Sequence, residues 1–487
     1  MIAKRSLLLG AVMALCAAPA LAQNTSLTSS PSSSLTPPNP YTGSVPNGKA
    51  TGEVLKISFL DAIERGLKYN LGLLLTEQSI TSSRGQQWKQ LSDLLPNLTA
   101  NTTETAAKIN LEQEGFSKIR VPNSPFANIS PIAGPFGFFD TRAYGSQTLF
   151  DWNAIEKVRA ASENLRASRF SYKNARELVV LTVGYNYLLS ISAAARVETA
   201  EAQLKTAEAL YNQASDRLKA GTSPQIDELR SRVEFQTRQQ QVIAARNDYQ
   251  KQLLAFARTI GLPPGQGFEL TEKIPYDRPE PISIDAVEQQ AYANRPDFLA
   301  AEAQVRAAEL SRHAAIAEYY PTVSITGNYG AGGATPAHLD GSYQAQGSLT
   351  IPIFQGNKVH ADTLQADAQL TNSRNQLENL RAQIDQDIRD AVLDLQSASQ
   401  QVEVARSNVD LANQTLEQAR DRFAAGVTDN IEVVQAQDSV ASANESYISS
   451  LFNYTVARIA LARAEGIAET GVVNYLRGKG DATKDGN

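Results

Sequence analysis

The sequence predicts a mainly α-helical chain with membrane β-strands, in which a strand pair and a long antiparallel helical hairpin occur twice. Three observations carry this. First, the turn Ala220-Gly221-Thr222-Ser223-Pro224 returns as Ala425-Gly426-Val427-Thr428-Asp429, with Gly426 lying 205 positions after Gly221. Second, matching stripes precede the two turns. One reads Val197, Ala200, Leu204, Ala207, Tyr211, Ala214, Leu218, and the other Val402, Ala405, Val409, Ala412, Leu416, Ala419, Phe423. Steps of three and four make one apolar seam along a helix, and two seams in register mark an internal repeat. Third, the apolar period changes from helical to two after Pro321, the period of a strand with unlike faces.

Met1 to Ala22 reads as a secretory signal: Lys4 and Arg5, an apolar run, then Ala20-Leu21-Ala22 with cleavage after Ala22. The single cysteine, Cys16, lies inside it. A lipid-attachment cysteine wants a small residue just ahead, and Leu15 stands there. The mature chain is therefore expected to have no thiol for disulfides or thiolate metal sites. No run of about 20 apolar residues follows the signal, so no ordinary membrane-spanning helix is expected. A barrel of short, half-apolar strands remains open. Residues 23–56, rich in Ser, Thr, Pro and Asn, read as a linker or an extended surface segment.

Residues 57–262 form the first repeat and 282–466 the second. Each begins with a helical pattern, from Ile57 to about Leu95 and from Ile284 to Tyr320, stopped by Pro96 and Pro321. The first repeat's candidate strands are Leu98 to about Leu111 and Thr141 to Phe150, their alternation blurred by Glu104 and Gln147. A Pro-, Gly- and Phe-rich loop, 112–140, separates them. In the second repeat Val323, Ile325 and Tyr329 alternate with Thr322, Ser324, Thr326 and Asn328. Tyr343, Ala345, Leu349, Ile351 and Ile353 alternate with Gln344, Gln346, Ser348 and Thr350, after a loop opening at Gly330-Ala331-Gly332-Gly333. Those glycines lack the spacing and the strand-to-helix context of a phosphate loop. One uncharged apolar face and one polar face fit a membrane-barrel strand. A soluble hairpin with one side on a core fits the same alternation. Phe150, Trp152, Tyr319, Tyr320 and Phe354 sit at the strand–helix junctions. Such rings favour the membrane–water boundary; packing at the end of a barrel is their other reading.

Then come the long helices, Trp152 to Lys219 capped by Asp151, and Asn357 to Ala424, each 68 residues. At 1.5 Å per residue each would run roughly 100 Å. Glycine just past a helix takes the left-handed conformation that ends it. Ser223 reads as the next N-cap and Pro224 as the first helical residue. The return helices, about Pro224 to Ile260 and Asp429 to Glu465, are half as long. The helices ahead of the strands are expected to stack end to end with them. Residues 263–281 read as a linker and 467–487 as a polar tail.

With 45 basic and 51 acidic side chains, net −6, the chain lacks the clustered basic face of a nucleic-acid binder. His313, His338 and His360 are scattered without ligand-spaced partners, and no Ser/His/Asp constellation can be assembled. No enzyme, cofactor or metal site is expected. Four strands are too few to close a barrel, since the smallest bacterial barrels have eight. Three chains would supply twelve. Their ends run straight into the long helices, so the barrel would continue as a helical tube.

The order and repetition of five motifs resemble the outer-membrane efflux channels, the TolC-like family, over about residues 57–466. They are Leu95-Pro96 with Tyr320-Pro321, Leu149-Phe150-Asp151, Ile353-Phe354-Gln355-Gly356, Arg422-Phe423-Ala424-Ala425-Gly426 and Ile431-Glu432-Val433-Val434. The resemblance implies a homotrimer, with a 12-strand β-barrel in outer-membrane lipid continued by an α-helical barrel in the periplasm. It implies a passive tunnel of a tripartite efflux or type I secretion system, reached through a periplasmic adaptor from an inner-membrane pump. Gly221, Thr222, Ser223 and Gly426, Val427, Thr428 would then meet the adaptor, although the glycines end helices in any case. Glu432 would take the first position of an acidic ring at the periplasmic entrance. Gln435, uncharged, falls on the second, and Asp429 would contribute. Three carboxylates in a narrow space would favour cations and raise one another's pKa values. The residues leave a second role open for Glu432, a capping box with Asp429. Asp227 aligns with Glu432 and would hold neighbouring hairpins shut, with Phe423 and Thr428 standing where polar and basic partners are expected. A periplasmic adaptor is the alternative reading. Adaptors carry one hairpin, however, and here there are two, each preceded by a strand pair.

Overall fold

A computed structural model describes residues 40–111, 113, 132–272, 276, 282–428 and 430–471, all within the compact unit that begins at Pro40. Residues 1–39, which include the expected signal with Cys16 and Ala22, residues beyond 471 and most of the first inter-strand segment lie outside the described residues.

The helical pattern from Ile57 is two helices, not one: α1 (Phe59–Tyr69) and α2 (Leu71–Ser92). A capping box opens α1. Ser58 Oγ accepts from the Asp61 N–H at 3.1 Å, and the Asp61 carboxylate accepts from the Ser58 N–H at 3.1 Å. Asn70 makes the break. Its N–H donates to the Gly66 carbonyl, its backbone turns extended (φ −64, ψ 127), and its side chain accepts from the Leu73 N–H. The second repeat breaks at Arg295, between α5 (Ile284–Asn294) and α6 (Pro296–Ala317), because Pro296 fits only a first helical position. Apolar periodicity runs on through both joints, which hid them. Both helices end a turn before the proline, at Ser92 and Ala317, in tight turns such as Leu95 N–H to Ser92 O and Tyr320 N–H to Ala317 O.

The long hairpins follow as expected. They are α3 (Trp152–Lys219, 68 residues) with α4 (Gln225–Thr259), and α7 (Lys358–Ala424, 67 residues) with α8 (Asn430–Ala464). Asp151 caps α3, accepting from the Ala154 N–H at 3.1 Å. Asn357, expected inside α7, lies just outside it with φ 65. The short helices do stack on the return helices. Beside the first half of α3 lies α2, where Ser83 bonds Ser168 at 2.7 Å and Gln87 bonds Ser162 at 2.9 Å. Beside the second half lies α4, where Arg246 bonds Glu201 at 2.6 Å. The α2 and α4 ends meet where Ser44 Oγ donates to the Thr259 carbonyl and Leu262 joins the core of Ile63 and Leu73.

That meeting point is the core. Phe59, Tyr187 and Phe256 pack edge to face at 5.2 and 5.7 Å, and all three are buried. The second repeat has its own cluster at the equivalent level. Val179 and Ile384, Val183 and Ile388, and Phe256 and Leu461 are pairs 205 positions apart, and every member is buried. The core also corrects one expectation. A window of α3, mean hydropathy 1.6, is long and apolar enough to cross a membrane by composition, but half of it is buried among neighbouring helices. Val179, Val180, Val183 and Leu188 make it apolar because they fill this core.

The two segments read as linkers also contribute structure. From 23–56 comes β1 (Leu55–Ile57), and from 263–281 comes β4 (Phe268–Leu270); they pair in parallel over this core. Three residues are too few for periodicity to register. The main sheet is antiparallel, ordered β2-β3-β5-β6, from β2 (Asn97–Asn110), β3 (Ile132–Phe150), β5 (Thr322–Thr335) and β6 (His338–Thr350). Three boundaries differ from expectation, one being the end of β6 at Thr350, which leaves Ile351 and Ile353 of the expected alternation outside the strand. Strand β3 begins at Ile132 rather than Thr141, and Gly330–Gly333 lie inside β5 rather than in a loop. Phe139 to Arg142 of β3 pair with Gly333 to Gly330, so both stretches are held by the same ladder.

A charge cluster joins the repeats where α6 meets α8. Arg463 reaches Glu177 at 2.5 Å and Asp297 at 3.3 Å, while Arg295 pairs with Asp297 at 2.8 Å and Asp387 at 3.1 Å. Three carboxylates face two guanidiniums, and burial pushes the Glu177 carboxyl up to about 7 from 4.5. Such a carboxyl holds its proton better folded than unfolded, so its contribution weakens as pH rises from about 4.5 to about 7. Glu177→Gln removes that dependence. Melting temperatures across this window should show the parent losing ground to the variant as pH rises; a constant difference would contradict the assignment.

Candidate functional site

The sheet's register sorts its residues into two faces. One face carries the rows Asn97/Ser146/Thr326/Gln346 and Thr99/Tyr144/Asn328/Gln344. A hollow of about 410 Å³ opens on it. The other face carries Leu98, Ala100, Ala143, Ile325, Tyr329, Tyr343 and Leu349, together with the interrupting Glu104 and Gln147. Leu98, Tyr329, Tyr343 and Leu349 are between 62 % and 82 % exposed. Among the described residues, no helix packs along either face to supply the core that a soluble hairpin would need. The outer edges of β2 and β6 have no partner among the described strands. Phe150, Trp152, Tyr319, Tyr320 and Phe354 are all exposed at the strand–helix junctions. Phe150 and Trp152 lie 6.3 Å apart, and the Arg159 guanidinium lies over Trp152 at 5.8 Å.

At the far ends of the hairpins the two turns share one hydrogen-bond set. Ala220, Gly221 and Thr222 donate to Asp216, Leu218 and Arg217 carbonyls; Ala425, Gly426 and Val427 donate to Asp421, Phe423 and Arg422. This is the Schellman pattern. Gly221 (φ 69) and Gly426 (φ 72) are left-handed, and a Cβ on either would meet nothing within 4 Å. Glycine is needed there for backbone conformation alone. Ser223 is not the N-cap: Pro224 is, with Gln225 first in the helix. The Ser223 hydroxyl instead donates to Asp227 at 2.8 Å. Thr428 donates to Glu432 at 2.5 Å, the same bond 205 positions on. Each hydroxyl holds a carboxylate near a helix N-terminus, where the peptide dipoles favour negative charge.

The two carboxylates then diverge. Asp227 is buried. Glu432 is partly exposed and pairs with Arg422 at 2.7 Å. Gln435, one turn along, is exposed beside a groove of Ile226, Leu229, Val233, Ile431 and Val434. Asp429, proposed for the ring and the capping box, lies outside the described residues. Phe423 is buried with Leu416, Val433 and Ala436. The Arg217 guanidinium stacks on its ring at 4.4 Å and donates to its carbonyl at 3.3 Å. Sequence reasoning missed Arg217 and a second link between the hairpins, buried Arg238 of α4, which pairs with Glu234 at 2.6 Å and with Asp438 of α8. The i,i+4 spacing of Glu234 and Arg238 was the available signal.

The profile of the outer membrane efflux protein family matches residues 141–262 and 287–466, both hairpins and most of the sheet. The chain belongs to that family. It is 24 % identical over 412 residues, 83 % of each chain, to the outer membrane protein OprJ of Pseudomonas aeruginosa. It is 21 % identical over 343 residues to the alkaline protease secretion protein AprF of the same species, covering 66 % of this chain and 68 % of that one. Among solved structures, the CmeC outer membrane channel of Campylobacter jejuni superposes with TM-score 0.72 at 16 % identity, over 88 % of this chain and 92 % of that one. VceC of Vibrio cholerae superposes with TM-score 0.69 at 18 % identity, over 84 % and 96 %. These are TolC-like outer membrane factors, and the adaptor alternative is set aside because the match runs through both repeats.

Gly426→Ala should cost about 1 kcal/mol, because the loss is conformational and not steric. Amide exchange should quicken several-fold at residues 425–428 and stay unchanged in the Val179 and Ile384 cores. Unaltered exchange at the turn would remove the left-handed constraint.

Proposed function

We propose that three copies close their sheets into a 12-strand barrel in the outer membrane, continued by a periplasmic α-helical barrel, and that this passive tunnel carries substrates outward. The observation that carries the reading is the sheet. Its outer edges, which pair with no other described strand, call for a neighbour, one face is exposed and apolar, and the other is polar and hollow. Strands β2 and β6 run in opposite directions, so β6 of one copy pairs antiparallel with β2 of the next, and three copies leave no edge. The aromatic junctions Phe150, Trp152, Tyr319, Tyr320 and Phe354 then sit at the periplasmic lipid boundary.

The names of the relatives support the wider assembly. One is an alkaline protease secretion protein and two are pyoverdine export proteins, while others belong to efflux pumps for toluene and antibiotics. On this reading the chain serves a tripartite efflux or type I secretion system. Its tips, Gly221 to Ser223 and Gly426 to Thr428, meet a periplasmic adaptor, which joins it to an inner-membrane pump. Residues 1–22 are a signal removed after Ala22, 57–262 and 282–466 are the repeats, and 467–487 is a tail. No catalytic step is involved: water and solute pass along a face of Asn, Thr, Ser and Gln side chains.

Glu432 is the acid that lines the entrance, restrained by Arg422 and Thr428. The parent should survive a carbonate wash in the membrane, run as a heat-sensitive trimer, and form cation-preferring channels in planar bilayers. Glu432→Lys should lower that preference. An unaltered preference would leave Glu432 only its pair with Arg422, and a soluble monomer would end the tunnel reading.

A further inference from the structure

The charges on the hollow face of the sheet are confined to its end away from the helices. The rows nearest the helices, Thr148/Ser324/Ser348, Asn97/Ser146/Thr326/Gln346 and Thr99/Tyr144/Asn328/Gln344, carry none. The next row is Asn101/Arg142/Gly330/Ser342, and the one beyond is Thr103/Asp140/Gly332/Asp340. Two acids and one base therefore stand together on each chain.

They are not equivalent. Arg142 lies along the sheet, with Nε 2.9 and 2.8 Å from the two Asp140 carboxylate oxygens, and it donates to Asn328 Oδ1 at 3.1 Å. Gly330 makes room for it, since a Cβ there would collide with the Arg142 side chain. Asp140 is thereby neutralised. Asp340 lies across Gly332 from Asp140, two strands away or roughly 10 Å. It is exposed and has no ion-pair partner among the described residues.

We propose that Asp340 sets charge selectivity at the outer mouth: three copies form a collar of uncompensated carboxylates, fed by a neutral polar passage below. This rests on the trimeric tunnel described above. In three copies the Arg142–Asp140 pairs cancel and the Asp340 side chains leave three negative charges on one ring. A ring of carboxylates attracts cations and repels anions at a constriction, and the low-dielectric wall around it strengthens the field. The collar is separate from Glu432, which lies at the opposite end of the long helices. It draws hydrated cations and cationic solutes into the exit and slows anions there.

The test uses the full-length channel in planar bilayers under a KCl gradient. Asp340→Asn should lower the potassium-to-chloride permeability ratio by about two-fold or more, while Asp140→Asn, which frees Arg142, should lower it further. Asp340→Cys adds a check on channels already inserted, because the sequence's single cysteine, Cys16, lies in the signal segment. A sulfonatoethyl methanethiosulfonate added from the outer side should restore the parent ratio, and the trimethylammonium reagent should invert the preference. Inserted Asp340→Asn channels with the parent's ratio, or Asp340→Cys channels indifferent to both reagents, would overturn the collar and leave the tunnel standing. A parent chain that conducts no ions would sink the tunnel and the collar together.

Discussion

A backbone N–H in lipid has no water to turn to, and that constraint governs the rest of the molecule. Each unsatisfied group in a bilayer costs several kcal/mol. The chain builds four antiparallel strands in the order β2-β3-β5-β6, and the outer edges of β2 and β6 pair with no other described strand. With its apolar face exposed, this sheet has the form that the proposed closed ring would complete. The proposed trimer would join both edges in a ring of twelve strands, within the range of bacterial barrels. In the proposed trimer, twelve strands would hold three copies of α3 and α7 at the rim, because Phe150 runs almost directly into Trp152 and only seven residues, 351–357, separate β6 from α7.

The helices answer a different demand. A 68-residue helix gains little from propensity alone; it is stable where neighbours bury its seam. The chain supplies these neighbours in halves, α2 then α4 along α3, and α6 then α8 along α7. Each junction between halves would expose helix ends, and these are where the fold concentrates its aromatic and ionic contacts. Phe59, Tyr187 and Phe256 fill one junction, while Arg295, Arg463, Glu177 and Asp297 tie the other. Breaking a buried ionic network is costly because the remaining charges stay desolvated. The network therefore fixes how the two repeats are joined.

What could be read in the sequence follows from how each feature is encoded. The long helices, their glycine turns and the start of the strand after Pro321 are local and periodic, and the residues alone placed them within a residue or two. The breaks at Asn70 and Arg295 were hidden because side-chain periodicity continues across a backbone turn that one cap suffices to make. The stretch Gly330-Ala331-Gly332-Gly333 read as loop because a strand's signature lies in its side chains, and three of these four residues have none. Their membership in β5 is decided by β3 on the other side of the ladder. Arg217 and Arg238 act across hairpins, so no spacing within either helix could identify Arg217's partner.

The duplication also explains why the two tips are not interchangeable. Arg217 and Arg422 are equivalent positions, 205 residues apart, as are Asp227 and Glu432. In the second hairpin Arg422 pairs with its own Glu432. In the first, Arg217 leaves its own hairpin and lies on Phe423 of the other, where the equivalent residue is Leu218. One aromatic ring thus redirects one guanidinium. The first carboxylate is buried and the second stays partly exposed on the return helix. An acid that is to face an aqueous opening must be hydrated, since a buried carboxylate cannot attract a passing cation without paying its own desolvation. Of two residues that the repeat makes equivalent, Asp227 is the buried one and Glu432 the one in contact with water.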